Sequence, residues 1–171
     1  LLRVTQEQFN ILEDLEFNPR IIVRGGAGTG KTLLAQEFAK RLSANGKKVL
    51  LLFFNRTITK TIRYGLREND NITVSTFHSF AKRRIEETDK AWWVNAKVDI
   101  KNQDEFWNIE VPIKLFEIPI LEKYDAIIVD EGQDFKSEWY EYLDEILKDI
   151  FKPEERFMSH LTIARIKHMK D

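Results

Sequence analysis

Three apolar runs limit how this chain can fold. They are Ile21, Ile22 and Val23; Val49 to Phe54; and Ala126 to Val129. None alternates with polar residues. A strand with one wet face would alternate, so continuous aliphatic runs of this length read as strands covered on both faces, as in a parallel sheet. A shorter run, Ile72, Thr73 and Val74, reads as a fourth strand. Helical patterns follow each one. Leu34, Phe38 and Leu42 recur at four-residue spacing, and Gly46 supplies a stop. Ile58, Ile62 and Leu66 repeat that spacing, and Phe77, Phe80, Ala81 and Arg84 fit a further helix. Ser137 is placed to cap a helix carrying Trp139, Tyr140, Leu143, Ile146 and Leu147. Before the first strand, Thr5 to Gln8 match a capping box followed by Phe9, Leu12 and Leu15. Strands alternating with helices predict an α/β fold with right-handed crossovers.

Residues 88–124 break the rhythm and read as a small insertion with one or two irregular helices. The pair Trp92 and Trp93 lies in it, with a helix start near Asn102. The two tryptophans suit a core gap or a stacked base, and the core reading is the better supported.

Composition narrows the class. The 171 residues suit one domain and include no cysteine, which excludes disulfides, thiolate zinc sites and a cysteine nucleophile. The three histidines, His78, His160 and His168, are too scattered for a metal cluster. The longest apolar run has six residues, so no membrane-spanning helix is expected. A cytoplasmic protein is the expectation. The net charge of −1 hides an asymmetry. Residues 20–67 hold eleven Lys or Arg against Glu37, a net of +10; residues 1–19 sum to −3, leaving −8 for 68–171.

The basic stretch contains Gly25, Gly26, Ala27, Gly28, Thr29, Gly30, Lys31 and Thr32, which fit G-x-x-x-x-G-K-[ST] directly after a strand and before a helix. Glycines let backbone N–H groups wrap a phosphate, and the helix N-terminus adds positive potential. Lys31 would reach the β- and γ-phosphates of ATP, and the Thr32 hydroxyl would ligate Mg²⁺. Asp130, Glu131, Gly132, Gln133 and Asp134 follow the run 126–129. A carboxylate there lies at the sheet edge where α/β proteins bind ligands. Asp130 is placed to hold Mg²⁺ and Glu131 to orient or deprotonate water. Two acids beside a triphosphate need a divalent cation between them.

GGAGTGKT with a downstream DEGQD resembles the first RecA-like domain of superfamily 1 helicases of the UvrD/Rep type, and in particular the short UvrD-like ATPases that accompany NERD-type nuclease domains. The resemblance covers about residues 4–150. It implies a P-loop NTPase sheet with helices on both faces over residues 1–150. Val4 to Gln8 resemble the family's Q motif, making Gln8 the adenine reader; an amide donates to and accepts from one base edge. Leu52 to Arg56 resemble motif Ia, and Ser75 to Ser79 the next DNA-contacting motif. Phe54, Asn55, Arg56, Thr76, Phe77 and His78 are thereby assigned to single-stranded or partly duplex DNA, with RNA the alternative nucleic acid. The phenylalanines also read as core residues, and His78 as a structural hydrogen-bonder. Basic side chains at Arg56, Lys60, Arg63, Lys82, Arg83 and Arg84 would add sequence-independent attraction. Gln133 would sense the γ-phosphate and join Lys31 and Glu131 as a catalytic residue.

Family members carry a second RecA-like domain that supplies arginines to the γ-phosphate. The expectation is therefore the ATP-binding half of a DNA helicase or translocase, completed by such a domain in cis or in trans. A nucleotide-binding switch without efficient turnover is the first alternative and a small-molecule kinase the second. The chain lacks a starting Met and is expected to be a fragment. Residues 151–171 do not fit the family pattern; they read as a truncated or frame-shifted end, or as a helix around residues 161–169.

Overall fold

A computed structural model describes residues 21–26, 28–98, 100–148 and 160–165. Five strands form one sheet in the order β1-β5-β4-β2-β3, every neighbouring pair parallel. They are β1 (Ile21–Gly25), β2 (Val49–Phe53), β3 (Ile72–Thr76), β4 (Ala126–Asp130) and β5 (His160–Arg165). All four runs are strands, the three without alternation and the shorter run at 72–74 alike.

Helix α1 (Lys31–Ala44) follows β1, α2 (Arg56–Gly65) follows β2 and α3 (Phe77–Thr88) follows β3. Two buried clusters show how β2 serves both faces. Val49, Leu51 and Phe53 join Leu34, Ala35 and Phe38 of α1 and Ile62 of α2. Leu50 and Leu52 join Phe77, Phe80 and Ile85 of α3 and the residues of the insertion. The period-two pleat of a strand sends successive side chains to opposite faces, so an unbroken apolar run feeds two cores. Strand β4 divides likewise, with Ile128 in the first cluster and Ile127 and Val129 in the second.

The insertion packs on the second face. Helix α4 (Lys90–Val98) is followed by α5 (Gln103–Glu105), a wider π-helical stretch at Phe106–Glu110 and α6 (Val111–Glu117). Asn102 opens this run, its side chain accepting from the amides of Asp104 and Glu105 at 3.0 and 3.4 Å. The π stretch ends against Pro112, whose missing N–H cannot serve the preceding turn. Trp93 and Phe106 are buried in the core, and Trp92 stacks on Phe106 at 6.3 Å. The tryptophan pair therefore fills the core gap.

Two expectations are corrected. Helix α7 (Ser137–Glu145) begins at Ser137, but the cap position is Lys136, and the Ser137 hydroxyl donates to Glu138 at 3.1 Å. Within the span expected as a helix, 161–169, the described residues belong to strand β5, so the sheet takes a strand from beyond residue 150. β5 pairs with both β1 and β4, and such a segment gains two ladders of backbone hydrogen bonds that outweigh a weak local preference.

Gly46 stops α1 as expected. Its φ of 74° is left-handed, and the Lys47 amide donates back to Leu42 at 3.0 Å, which closes the helix end. A Cβ at Gly46 would meet no atom within 4 Å, so the cost of adding one is the backbone conformation alone. Gly46→Ala is expected to lower stability by about 1 kcal/mol in urea unfolding, without changing the unfolding slope.

Candidate functional site

The loop after β1 turns into α1 through Gly28 and Gly30, at φ 77° and 82°. Gly30 caps α1 in the left-handed conformation that a side chain would strain. The Leu34 amide bonds the Gly30 carbonyl at 2.9 Å, so the helix ladder starts at the loop itself. Lys31 is the first helical residue and is 8% exposed. Its ammonium donates to the carbonyls of Gly25 and Gly26 at 2.8 and 2.7 Å, which folds the cation into the loop. The Thr29 hydroxyl also donates to Gly26, at 3.0 Å.

The decisive contact spans the sheet. The Thr32 hydroxyl donates to Asp130 Oδ2 at 2.7 Å, although the two lie 98 residues apart. Asp130 shares the pleat parity of Ile128 and so falls on the α1 side of the sheet. It is 1% exposed. Burial raises its pKa, aided by the charge of Glu131, while the Thr32 hydrogen bond, the Glu131 amide and Lys31 act in the opposite sense. A hydroxyl and a carboxylate at 2.7 Å, beside the glycine loop, fit the small oxygen-ligand set that Mg²⁺ takes from a protein when phosphates and water supply the rest.

Glu131 follows with φ 57°, the one non-glycine among the described residues at positive φ. That conformation costs about 1–2 kcal/mol. Its carboxylate accepts from Gln133 Nε2 at 2.6 Å, so the structure brings these two predicted residues together. A short 3₁₀ turn, Gly132–Asp134, closes the motif.

Register brings the other loops alongside. Phe53 of β2 pairs with Thr76 of β3, so the segments 54–56 and 77–78 leave neighbouring strand ends on the same sheet edge. Phe54 is 46% exposed and Arg56 is exposed, as a ligand contact requires. Asn55 caps α2, accepting from the Thr57 amide at 2.8 Å. Thr76 and Phe77 present no exposed side chain to such a ligand, and for Phe77 this is the core reading. Thr76 is buried, caps α3 by accepting from the Ser79 amide at 3.1 Å, and donates to the Ser79 hydroxyl. Phe77 is 1% exposed and stacks on Trp139 at 4.4 Å and 8°. Their side chains belong to the core because the apolar face beneath α3 claims them. His78 lies edge-on to Trp107 at 4.3 Å and Trp139 at 5.0 Å. Burial, with Arg56 nearby, lowers its pKa to about 4.

The basic residues divide. Lys82 pairs with Glu86, Arg83 with Glu87 and Glu122, and buried Arg84 with Glu87. Their charge is offset within the fold. Arg63 Nε donates to the Val74 carbonyl at 2.9 Å. Gln8 and Ala27 lie outside the described residues.

β5 was missed by the sequence reading, and it ends at the centre of the site edge. Arg165 is in register with Gly25, and Ile163 with Asp130. The only available signal was the β-branched pair Thr162 and Ile163.

With this geometry in place, comparison with known proteins decides the family. A family model described as an AAA domain matches residues 8–152. The chain belongs to this family. It is a RecA-like domain of the kind found in UvrD/Pif1-like superfamily 1 helicases, and an ATP-binding domain of helicase type. No curated protein matches the chain. Among solved structures, it is similar to the crystal structure of Pif1 helicase from Candida albicans, with a TM-score of 0.54 and 19% identity, over 96% of this chain and 33% of that one. That likeness concerns the fold, and the chain spans a third of the length of that helicase. No helix among the described residues of this AAA domain is long and apolar enough to cross a membrane.

Two outcomes follow. Phe77→Ala is expected to cost about 3–5 kcal/mol in chemical unfolding, because it empties a fully buried ring site. The folded pKa of His78, about 4, lies below the 6.5 of an unperturbed histidine. The unfolded chain then binds more protons between those values, so stability rises with pH across this window and is lost as pH falls through it. His78→Gln should flatten the fall in thermal midpoint between pH 6.5 and pH 4; an unchanged slope would mean that His78 is not the group responsible.

Proposed function

We propose that this chain is the ATP-binding half of an ATP-dependent DNA helicase or translocase, hydrolysing ATP with Mg²⁺ when a second RecA-like domain completes the site. The observation that carries the reading is the 2.7 Å bond between Thr32 and Asp130, which joins the glycine loop to the acidic motif at one sheet edge. Loop amides and the α1 N-terminus would hold the phosphates. Lys31, now bonded to Gly25 and Gly26, is within reach of the β- and γ-phosphates by rotation of its own side chain. Thr32 and Asp130 would hold Mg²⁺, which neutralises charge on the phosphate oxygens as the leaving group departs. Glu131 would take the proton of the attacking water for in-line displacement at the γ-phosphate. Gln133, bonded to Glu131 at 2.6 Å, would exchange that bond for one to the γ-phosphate. Gln8 would read the adenine.

The exposed edge formed by Phe54, Asn55 and Arg56 is proposed to meet single-stranded DNA, with Arg56 on phosphate and Phe54 on a base face. The buried Thr76 and Phe77 side chains would support that edge from below.

Fluorescent-ATP titration of the 171-residue chain tests the nucleotide site. Binding should require Mg²⁺ for full affinity, and Lys31→Ala should weaken it at least about tenfold, the loss of one charge-assisted contact. Asp130→Asn should remove the Mg²⁺ dependence. Equal affinity for all three proteins would overturn the assignment. An arginine contributed by a second domain is worth about 10³–10⁵ in rate, so the isolated chain should hydrolyse ATP slowly and respond to single-stranded DNA. Turnover near that of an intact helicase would refute the need for a second domain.

A further inference from the structure

The acidic motif has an unfavourable shape, and one of the contacts on it comes from a residue outside it. Glu131 sits at φ 57°, a backbone conformation that persists only where surrounding contacts over-determine it. Three of those contacts are local. The Glu131 amide donates to Asp130 Oδ1 at 3.1 Å, the Asp134 amide to the Glu131 carbonyl at 2.9 Å, and the Phe135 amide to the Gly132 carbonyl at 3.2 Å. The fourth comes from α7. The Tyr140 hydroxyl donates to the same Gly132 carbonyl at 2.8 Å, across eight residues.

The Tyr140 ring also lies 5.8 Å from Phe135, at the end of the motif. Its helix is fixed from below. Trp139 and Tyr142 are buried, and the Trp139 indole N–H donates to the Trp107 carbonyl of the insertion at 3.1 Å. The Gly132 carbonyl thus takes one local bond and one bond to a rigid element. The local bonds alone would let the turn tilt as a unit; the bond to Tyr140 ties it to the helical layer.

We propose that Tyr140 is a positioning residue, which fixes the Gly132 carbonyl and through it the angle at which Glu131 faces the phosphate site. This rests on the reading of Glu131 as the group that activates water. The Gly132 carbonyl lies in the peptide plane between Gly132 and Gln133, so anchoring it fixes the tilt of the turn that carries Glu131 and the Gln133 bonded to its carboxylate. Reacting groups held slightly out of line lose rate while binding persists.

The test is Tyr140→Phe, which keeps the ring against Phe135 and removes only the hydroxyl. Two readouts are needed. Amide exchange of the nucleotide-free chain should be about two- to tenfold faster at Asp134 and Phe135, with the amides of β4 and α1 unchanged, as loss of one hydrogen bond predicts. Single-turnover ATP hydrolysis with single-stranded DNA should fall by a similar factor, while ATP affinity stays within about twofold. Unchanged exchange at Asp134 and Phe135 would overturn the proposal, whatever the activity. So would an affinity loss that parallels the rate loss, which would mark a general disturbance of the site. Single-turnover hydrolysis by Glu131→Gln at the rate of the unsubstituted chain would remove the water-activating reading of Glu131, and the positioning role with it. In that case altered exchange would still report the clasp itself, so the two failures are separable.

Discussion

A single hydrogen bond between a buried carboxylate and a hydroxyl ties the site to the architecture. Thr32 stands one residue inside the helix that follows the glycine loop, and Asp130 ends a strand that forms much later in the chain. Their meeting at 2.7 Å requires several things at once. The sheet must be parallel, so that β1 and β4 end on the same edge. The register must bring Asp130 near the start of the loop, which β5 arranges by pairing Ile163 with both Asp130 and Val23, two residues before Gly25. The pleat must turn Asp130 toward α1, and it does because Ile128, two residues earlier, belongs to the α1 core. A one-residue slip in β4 would send the carboxylate to the opposite face.

The same burial that places Asp130 makes it costly. A carboxylate at 1% exposure is pushed toward its protonated form, and Thr32, the Glu131 amide and Lys31 only partly offset this. A group under such pressure gains most from a cation. The backbone next to it bears a second cost in the left-handed Glu131. Elsewhere a turn uses glycine at Gly46, and Asn55, Thr76 and Asn102 cap their helices. Strain and desolvation coincide in two adjacent residues at one sheet edge, where they are expected to accompany function.

How much of this was legible from residues alone depends on how local the cause is. The apolar runs at 21–23, 49–54, 72–74 and 126–129 were legible because a strand covered on both faces needs no partner to be recognised. The glycine loop was legible because its backbone demands glycine. β5 was not. Residues 160–165 carry a histidine, a threonine and an arginine, and they become a strand only because β1 and β4 leave a gap between them. Phe77 and Thr76 show a different limit. Their motif points to an exposed loop, yet the strand and helix they join are packed so closely that one side chain enters the core and the other caps the helix. Exposure is a property of the assembled layers, and a motif does not encode it.

The insertion shows what those layers do for the site edge. From it, Trp107 lies edge-on to His78, and Trp139 of α7 bridges that histidine, Phe77 and Phe135. Phe77 and His78 open α3 at the end of β3, while Phe135 closes the acidic motif. One aromatic group therefore touches both the edge assigned to nucleic acid and the edge assigned to nucleotide. Close-packed rings of this kind transmit displacement poorly in increments and well as discrete repacking. A movement of the Phe54–Arg56 edge that reached His78 would meet Trp139 next, and the neighbour of Trp139 in sequence is the tyrosine that holds Gly132. The insertion is thus more than a lid on a hydrophobic face. It completes the packing against which both loops are held, and its removal would loosen the acidic motif as well as expose the core.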